Sequence, residues 1–298
     1  SQLSHIEIPA QNNIKEIPAG AFKDSKLLTT VIIPATVETI GENAFNGCVA
    51  LKTIHIPENV TFIGNSAFAN CSALTTVTVA QRNTNFQFIG ARLFENCTSL
   101  TSVVDFRGIP AFSEQMYAGS GLVNVVIPES ITSLNSVGVF ENCASLKTVT
   151  FHDGITDYVL GSRFFNNCSA LENIVLPAAV TFFQDRVFMN CVSLATVTFN
   201  GPVSNIGESD FENCSKLTTI TIPSTVTAMG VSVFLRCYRM KTAVIGNGRI
   251  NIALIFNGII AIFFSISPAS CDGENSNGKN IVTISLSNPS RPVTQGTI

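Results

Sequence analysis

Apolar and polar residues alternate along this chain in short runs that stop at proline. In "LKTIHIP" (51–57), Ile54 and Ile56 fall on one side behind Leu51, while Thr53 and His55 fall on the other. Alternation of this kind predicts a half-buried β-strand, and Pro57 ends it because it has no N–H to donate. In the following stretch, "VTFIGNSAF" (60–68), Val60 and Ile63 turn inward, Gly64 is expected to turn the chain, and Phe68 plugs the core. A polar turn, "NCSAL" (70–74), then leads into the next strand.

The same order recurs along the chain. Equivalent aromatics fall at Phe22, Phe45, Phe68, Phe94, Tyr117, Phe140, Phe165, Phe188, Phe211 and Phe234, at intervals of 23, 23, 26, 23, 23, 25, 23, 23 and 23 residues. A fixed period of this length marks a solenoid, in which each unit buries its apolar face only against its neighbours. Residues 1–245 are therefore read as one solenoid of about 23-residue repeats.

A cysteine follows the aromatic by three residues at Cys48, Cys71, Cys97, Cys143, Cys168, Cys191, Cys214 and Cys237, with Ser25 and Ser120 in the two remaining units. A position that takes Cys or Ser wants a small, buried, slightly polar side chain, and free Cys fills that role without being reactive. Asn precedes the cysteine in six units, which suits a turn residue in a left-handed backbone conformation. Reduced, buried thiols are expected here rather than disulfides, because equivalent side chains point the same way and nine is an odd number. Cys271 lies out of register in a polar loop and is expected to be exposed and reactive.

Phe, Cys and Pro at these spacings give the pattern L-x-x-I-x-I-P followed by V-x-x-I-G-x-x-A-F-x-x-C. "LKTIHIPENVTFIGNSAFANC" (51–71) fits it without a gap, and "LLTTVIIPATVETIGENAFNGC" (27–48) fits with one extra Leu. The pattern resembles the BspA-like leucine-rich repeats of cell-surface and secreted proteins, over roughly residues 3–245. That resemblance implies an α/β leucine-rich-repeat solenoid, with about thirteen strands in one long parallel sheet on one face and turns or short helical segments on the other. It also implies an extracellular or cell-surface location and a binding or adhesive role, without naming a ligand.

The ends depart from the pattern. "LSHIEIP" (3–9) is already a repeat strand, so an upstream unit is expected to cover it, and Ser1 is read as the start of a mature or trimmed segment. The uncharged stretch "INIALIFNGIIAIFFSIS" (250–267) is at the short limit for a membrane span. Phe256 and Pro268 keep the repeat spacing, so a degenerate repeat is the preferred reading. Residues 246–287 are expected to form a C-terminal cap, and 288–298 a tail.

Composition narrows the function classes. Of 298 residues, 12% are charged and the formal net charge is −3, so the Lys/Arg surface that nucleic acid demands is missing. Twenty-two of the 25 aromatic residues are Phe, a core filler with no polar handle. His5, His55 and His152 are isolated, no Cys-x-x-Cys pair occurs, and no nucleophile elbow, phosphate loop or dinucleotide fingerprint is present. No enzyme, metal or cofactor is expected. Four of the five Asn-x-Ser/Thr sequons recur only because Asn and Cys serve the repeat turn.

Function is therefore expected on the outward face of the sheet. Its positions pair as Thr30/Ile32, Thr53/His55, Thr76/Thr78, Ser102/Val104, Asn124/Val126, Thr148/Thr150, Asn173/Val175, Thr196/Thr198 and Thr219/Thr221. The candidate binding residues are the polar members from Thr53 to Thr221, Ser102 excepted. Strand propensity and same-type ladders alone can account for such a row. The competing account is a contact surface on which repeated weak contacts sum. The absence of aromatic rings on this face favours an extracellular or host protein partner over a glycan. A purely structural spacer within a larger surface protein remains the rival reading.

Overall fold

The computed structural model describes residues 4–245, together with the backbone of Ile252–Phe256, Ile259–Phe264 and Val282–Ser285. Repeat after repeat, the chain winds into stacked coils. Ten front strands run from His5–Glu7 to Thr242–Ile245, and those that pair with one another do so in parallel. Register follows the repeat, as with Thr53 opposite Thr76 and His55 opposite Thr78. Ile54 and Ile56 are buried and Thr53 and His55 exposed, as the alternation requires.

The expected α/β character is not found. Among the described residues there is no α-helix, and the one helical element is the 3₁₀ turn Ala10–Asn12. Beside the front sheet lies a second set of parallel pairings made of two-residue strands. Glu16–Ile17, Thr39–Ile40, Phe62–Ile63 and Phe88–Ile89 form one such flank sheet, and Val159–Leu160, Phe182–Phe183, Asn205–Ile206 and Ala228–Met229 form another. Gly64 follows one of these strands with no left-handed φ. Its role is close approach, since a Cβ there would collide with the backbone nitrogen of Glu42 in the coil below.

A third ladder replaces the expected helices. Around each aromatic from Phe22 to Phe211, three N–H groups donate to carbonyls of the next coil, as with Ser66 to Ala91, Phe68 to Leu93 and Asn70 to Glu95, at 2.8, 3.2 and 2.7 Å. Each turn uses two left-handed residues four apart, such as Ser66 (φ 54°) and Asn70 (φ 59°). The Asn before the cysteine was legible as such a residue; its partner two residues before the aromatic, which is Asn43, Ser66, Arg92 or Arg163 in different coils, was not.

Inside the turn ladder the aromatics form one continuous stack from Phe22 to Phe234. Adjacent rings are 5.2–5.9 Å apart, as in Phe45–Phe68 at 5.4 Å with planes 6° apart. Phe68 and its equivalents from Phe45 to Phe211 are fully buried. Each pair adds about 0.5–1.5 kcal/mol beyond the apolar area it covers.

The single sheet of about thirteen strands is not found: the front strands pair in four groups, with breaks between Thr148–Thr150 and Asn173–Leu176, between Thr196–Phe199 and Thr219–Ile222, and around residues 101–106. Residues 101–106 form no strand. In the repeat alignment Asp105 stands where Ile56 stands, and an unpaired carboxylate in an apolar core is costly. The segment instead exposes Asp105 and buries Val104 and Phe106, so Val104 is not the outward residue that strand counting makes it. At the other end, Val282–Ser285 runs antiparallel to Thr242–Ile245, and Ile252–Phe256 pairs antiparallel with Ile259–Phe264. These pairings depart from the parallel repeat expected there. The loop holding Cys271 and the tail 288–298 lie outside the described residues. Among the described residues no helix is long and apolar enough to cross a membrane.

Candidate binding face

All twelve candidate side chains are exposed on the front sheet: Thr53, His55, Thr76, Thr78, Asn124, Thr148, Thr150, Asn173, Thr196, Thr198, Thr219 and Thr221. The coil stack brings them into two columns, because equivalent residues of paired strands sit opposite one another. Part of their hydrogen-bonding capacity is used along the columns. His55 Nδ1 and Thr78 Oγ1 are 2.9 Å apart, and Thr148 Oγ1 donates to Asn124 Oδ1 at 2.8 Å. Thr196 Oγ1 donates to Asn173 Oδ1 in the same way. These contacts order the face and leave apolar members between them: Ile32, Val126 and Val175 are 47%, 66% and 53% exposed. From Asn124 to Thr221 the outward positions carry no charge at all.

The eight cysteines behind the turns are reduced and buried. They are also more specific than small fillers. Each thiol donates to the carbonyl of the aromatic one coil earlier, as Cys71 Sγ does to Phe45 O at 3.2 Å and Cys97 Sγ to Phe68 O at 3.2 Å. Burial pushes the Cys97 thiol up to about 12 and the Cys48 and Cys143 thiols up to about 11, so thiolate chemistry is suppressed. Outside them runs an amide ladder in which Asn213 donates to Asn190, Asn190 to Asn167, and Asn167 to Asn142. That ladder accounts for the recurrent sequons.

His152 is held on both ring nitrogens, with Nε2 2.9 Å from Ile131 O and Nδ1 accepting from Gly154 N–H at 3.0 Å. It lines a shallow depression with Glu129, Phe151, Asp153 and Gly154. Among the described residues no three His, Cys, Asp or Glu side chains converge to hold a metal ion.

Sequence reasoning missed the aromatics of the flank sheet. Phe62 and Phe88 are 39% and 42% exposed and stack on each other at 4.8 Å. The available signal was a Phe directly before the inward Ile63 or Ile89, but two-residue strands carry too little periodicity to reveal a second outward row. One face of each ring is spent on the other, so the pair does not offer two free platforms for a sugar.

The BspA type leucine rich repeat region matches residues 15–139 and 136–254, in six copies. No curated protein matches the chain. Among solved structures, a leucine-rich repeat protein from Bacteroides ovatus is similar at 24% identity, with a TM-score of 0.62, over 86% of this chain and 74% of that one. The pneumococcal vaccine antigen PcpA is similar at 20% identity, with a TM-score of 0.53, over 80% of this chain and 61% of that one. At these identities the likeness concerns the fold. Six repeat copies across most of the stacked coils settle the family, and the chain belongs to the BspA type leucine-rich repeat proteins.

Proposed function

We infer that this protein is a non-enzymatic, secreted or cell-surface binding module that engages a protein partner through its front sheet. One observation carries the reading: the outward rows from Asn124 to Thr221 join exposed Val126 and Val175 to ordered hydroxyl and amide groups with no charge among them. Uncharged, partly apolar surface of this kind costs less to desolvate than a charged one, and repetition lets small contacts add. Buried thiols with raised pKa values supply no nucleophile, which supports a binding rather than a catalytic role. The similar pneumococcal protein is a vaccine antigen, which supports an exposed location for this chain.

The test is binding of the purified chain to a panel of extracellular matrix proteins, mucins and glycans. The comparison variant carries Thr76→Lys, Thr148→Lys, Thr196→Lys and Thr219→Lys. A protein partner bound by the wild type and lost in the folded variant is the expected result. Binding retained in the variant moves the site off the front sheet. No binding to any member of the panel favours a structural spacer.

A further inference from the structure

Both sheets lapse at one and the same junction. On the front, Thr76–Val79 is the last strand of its four-stranded sheet, and residues 101–106 of the next coil pair with neither side. On the flank, Phe88–Ile89 is likewise the last strand, and the next position, Ala111, pairs only onward with Ser133. Where the front ladder lapses later, between Thr148–Thr150 and Asn173–Leu176 and between Thr196–Phe199 and Thr219–Ile222, the flank pairing is intact. Among the described residues the junction after Phe88–Ile89 is the only one where both are open.

What crosses it is the turn ladder, one further backbone bond from Ser99 N–H to Ser72 O at 3.2 Å where the front segment begins, and side-chain contacts. The three bonds from Ser66, Phe68 and Asn70 continue, and Phe68 and Phe94 stack at 5.9 Å. In place of strand pairing, Phe106 lies against Phe86 edge-on at 5.2 Å and against Phe94 at 6.2 Å. The flank is bridged by Ser113 Oγ donating to Gly90 O at 2.7 Å, and the front by Arg107 Nη1 donating to Gln81 O at 2.8 Å. Apolar contacts slide at little cost, whereas a backbone ladder must break to bend. The preceding unit is also one of the longer ones, with 26 residues from Phe68 to Phe94, so its connection has slack.

We propose that the solenoid is hinged at this junction: the coils before Gly90 and those after residue 101 rotate about the turn ladder, opening and closing the front face between Thr76 and Asn124. The cause is written in the sequence at Asp105, which keeps its coil out of the front sheet. The hinge stands independently of what the face binds.

Spin-label distance measurements test it, with labels on genetically encoded residues so that the cysteines are left alone. One pair, at Thr53 and Thr196, spans the hinge over six coils, about 29 Å at the strand spacing. A control pair at Asn124 and Thr219 lies wholly on one side. The distance distribution across the hinge is expected to be at least about twofold broader than the control, and Asp105→Ile is expected to narrow it by about half. Equal widths in the wild type overturn the hinge, whether or not Asp105→Ile folds. As a second readout, amides of 101–106 are expected to exchange at least about tenfold faster than those of Thr53–Ile56, and equal protection also overturns it.

Discussion

The hydroxyl of Tyr117 accepts a hydrogen bond from the backbone N–H of Val104 at 2.9 Å and donates to the carbonyl of the same residue at 3.3 Å. Tyr117 is the one member of the buried stack from Phe22 to Phe234 that carries a hydroxyl, and it faces the one front segment that makes no strand. Phe suffices where the neighbouring backbone is satisfied by its sheet. At Val104 the sheet is absent, and the phenol supplies both partners. Burial pushes the Tyr117 hydroxyl well above its usual range, so it stays protonated and keeps its donor.

Tyr117→Phe keeps the ring in the stack but leaves the buried N–H and carbonyl of Val104 without partners. A loss of about 1–3 kcal/mol in urea unfolding is expected. A variant as stable as the wild type would show that water or a backbone shift satisfies Val104, and that the phenol is not a latch.

Much of this fold was readable because the residues that set it recur. Phe68, Cys71, Ile54 and Ile56 each occupy a position defined by the period, and each lies in the core as the pattern requires. The twelve face residues were readable for the same reason, since alternation across Thr53–Ile56 or Thr219–Ile222 fixes which side is out. Features arising from one unrepeated residue were not. At Asp105 the burial of Val104 and Asp105 is swapped relative to the repeat, and counting alone passes over it. The turn ladder and flank sheet escaped because their segments gain order from stacking on other coils, which leaves no local alternation. The ligand was illegible because threonine serves strand propensity and contact equally well.

Phe68 sits mid-stack with no exposed surface, between Phe45 at 5.4 Å and Phe94 at 5.9 Å. Phe68→Ala opens a cavity that the rigid turn ladder on both sides cannot close. A cost of about 3–5 kcal/mol is expected by equilibrium unfolding. A cost below about 1 kcal/mol would mean that the coils collapse onto the gap and that the ring stack is not close-packed.

The thiol of Cys71 reaches Phe45 O, and the equivalent position is Ser in two other coils, at Ser25 and Ser120. Cys71→Ser is therefore expected to cost less than Cys71→Ala, which removes one of the two donors to Phe45 O and leaves the Cys48 N–H at 3.1 Å, a loss of about 0.5–1.5 kcal/mol. In the native state the eight stacked thiols should resist an aromatic disulfide reagent at mildly alkaline pH and react only on unfolding. Rapid native labelling of any of them, mapped by peptide mass, would contradict their burial.

Asp210 introduces a carboxyl where other coils carry Ala44 or Ala67, and it is fully buried. It takes two backbone donors, Val187 N–H at 2.9 Å and Gly207 N–H at 2.7 Å. Gly207 thereby gives up the ladder bond that Gly64 makes to Ile40, and Asn205 Nδ2 satisfies the freed Phe183 carbonyl at 2.7 Å. Burial pushes the Asp210 carboxyl well above the usual carboxylate range, and the two N–H bonds offset only part of that. The sign follows from linkage. A carboxyl whose folded value is raised contributes stability that is present below its unfolded value and lost as pH rises through the folded one. Wild type minus Asp210→Ala stability should therefore be more favourable at about pH 4 than at about pH 8. Urea unfolding of both proteins at the two pH values measures it. If the difference grows with pH instead, the two N–H bonds hold the carboxylate ionised, and Asp210 is an anionic anchor of its coil.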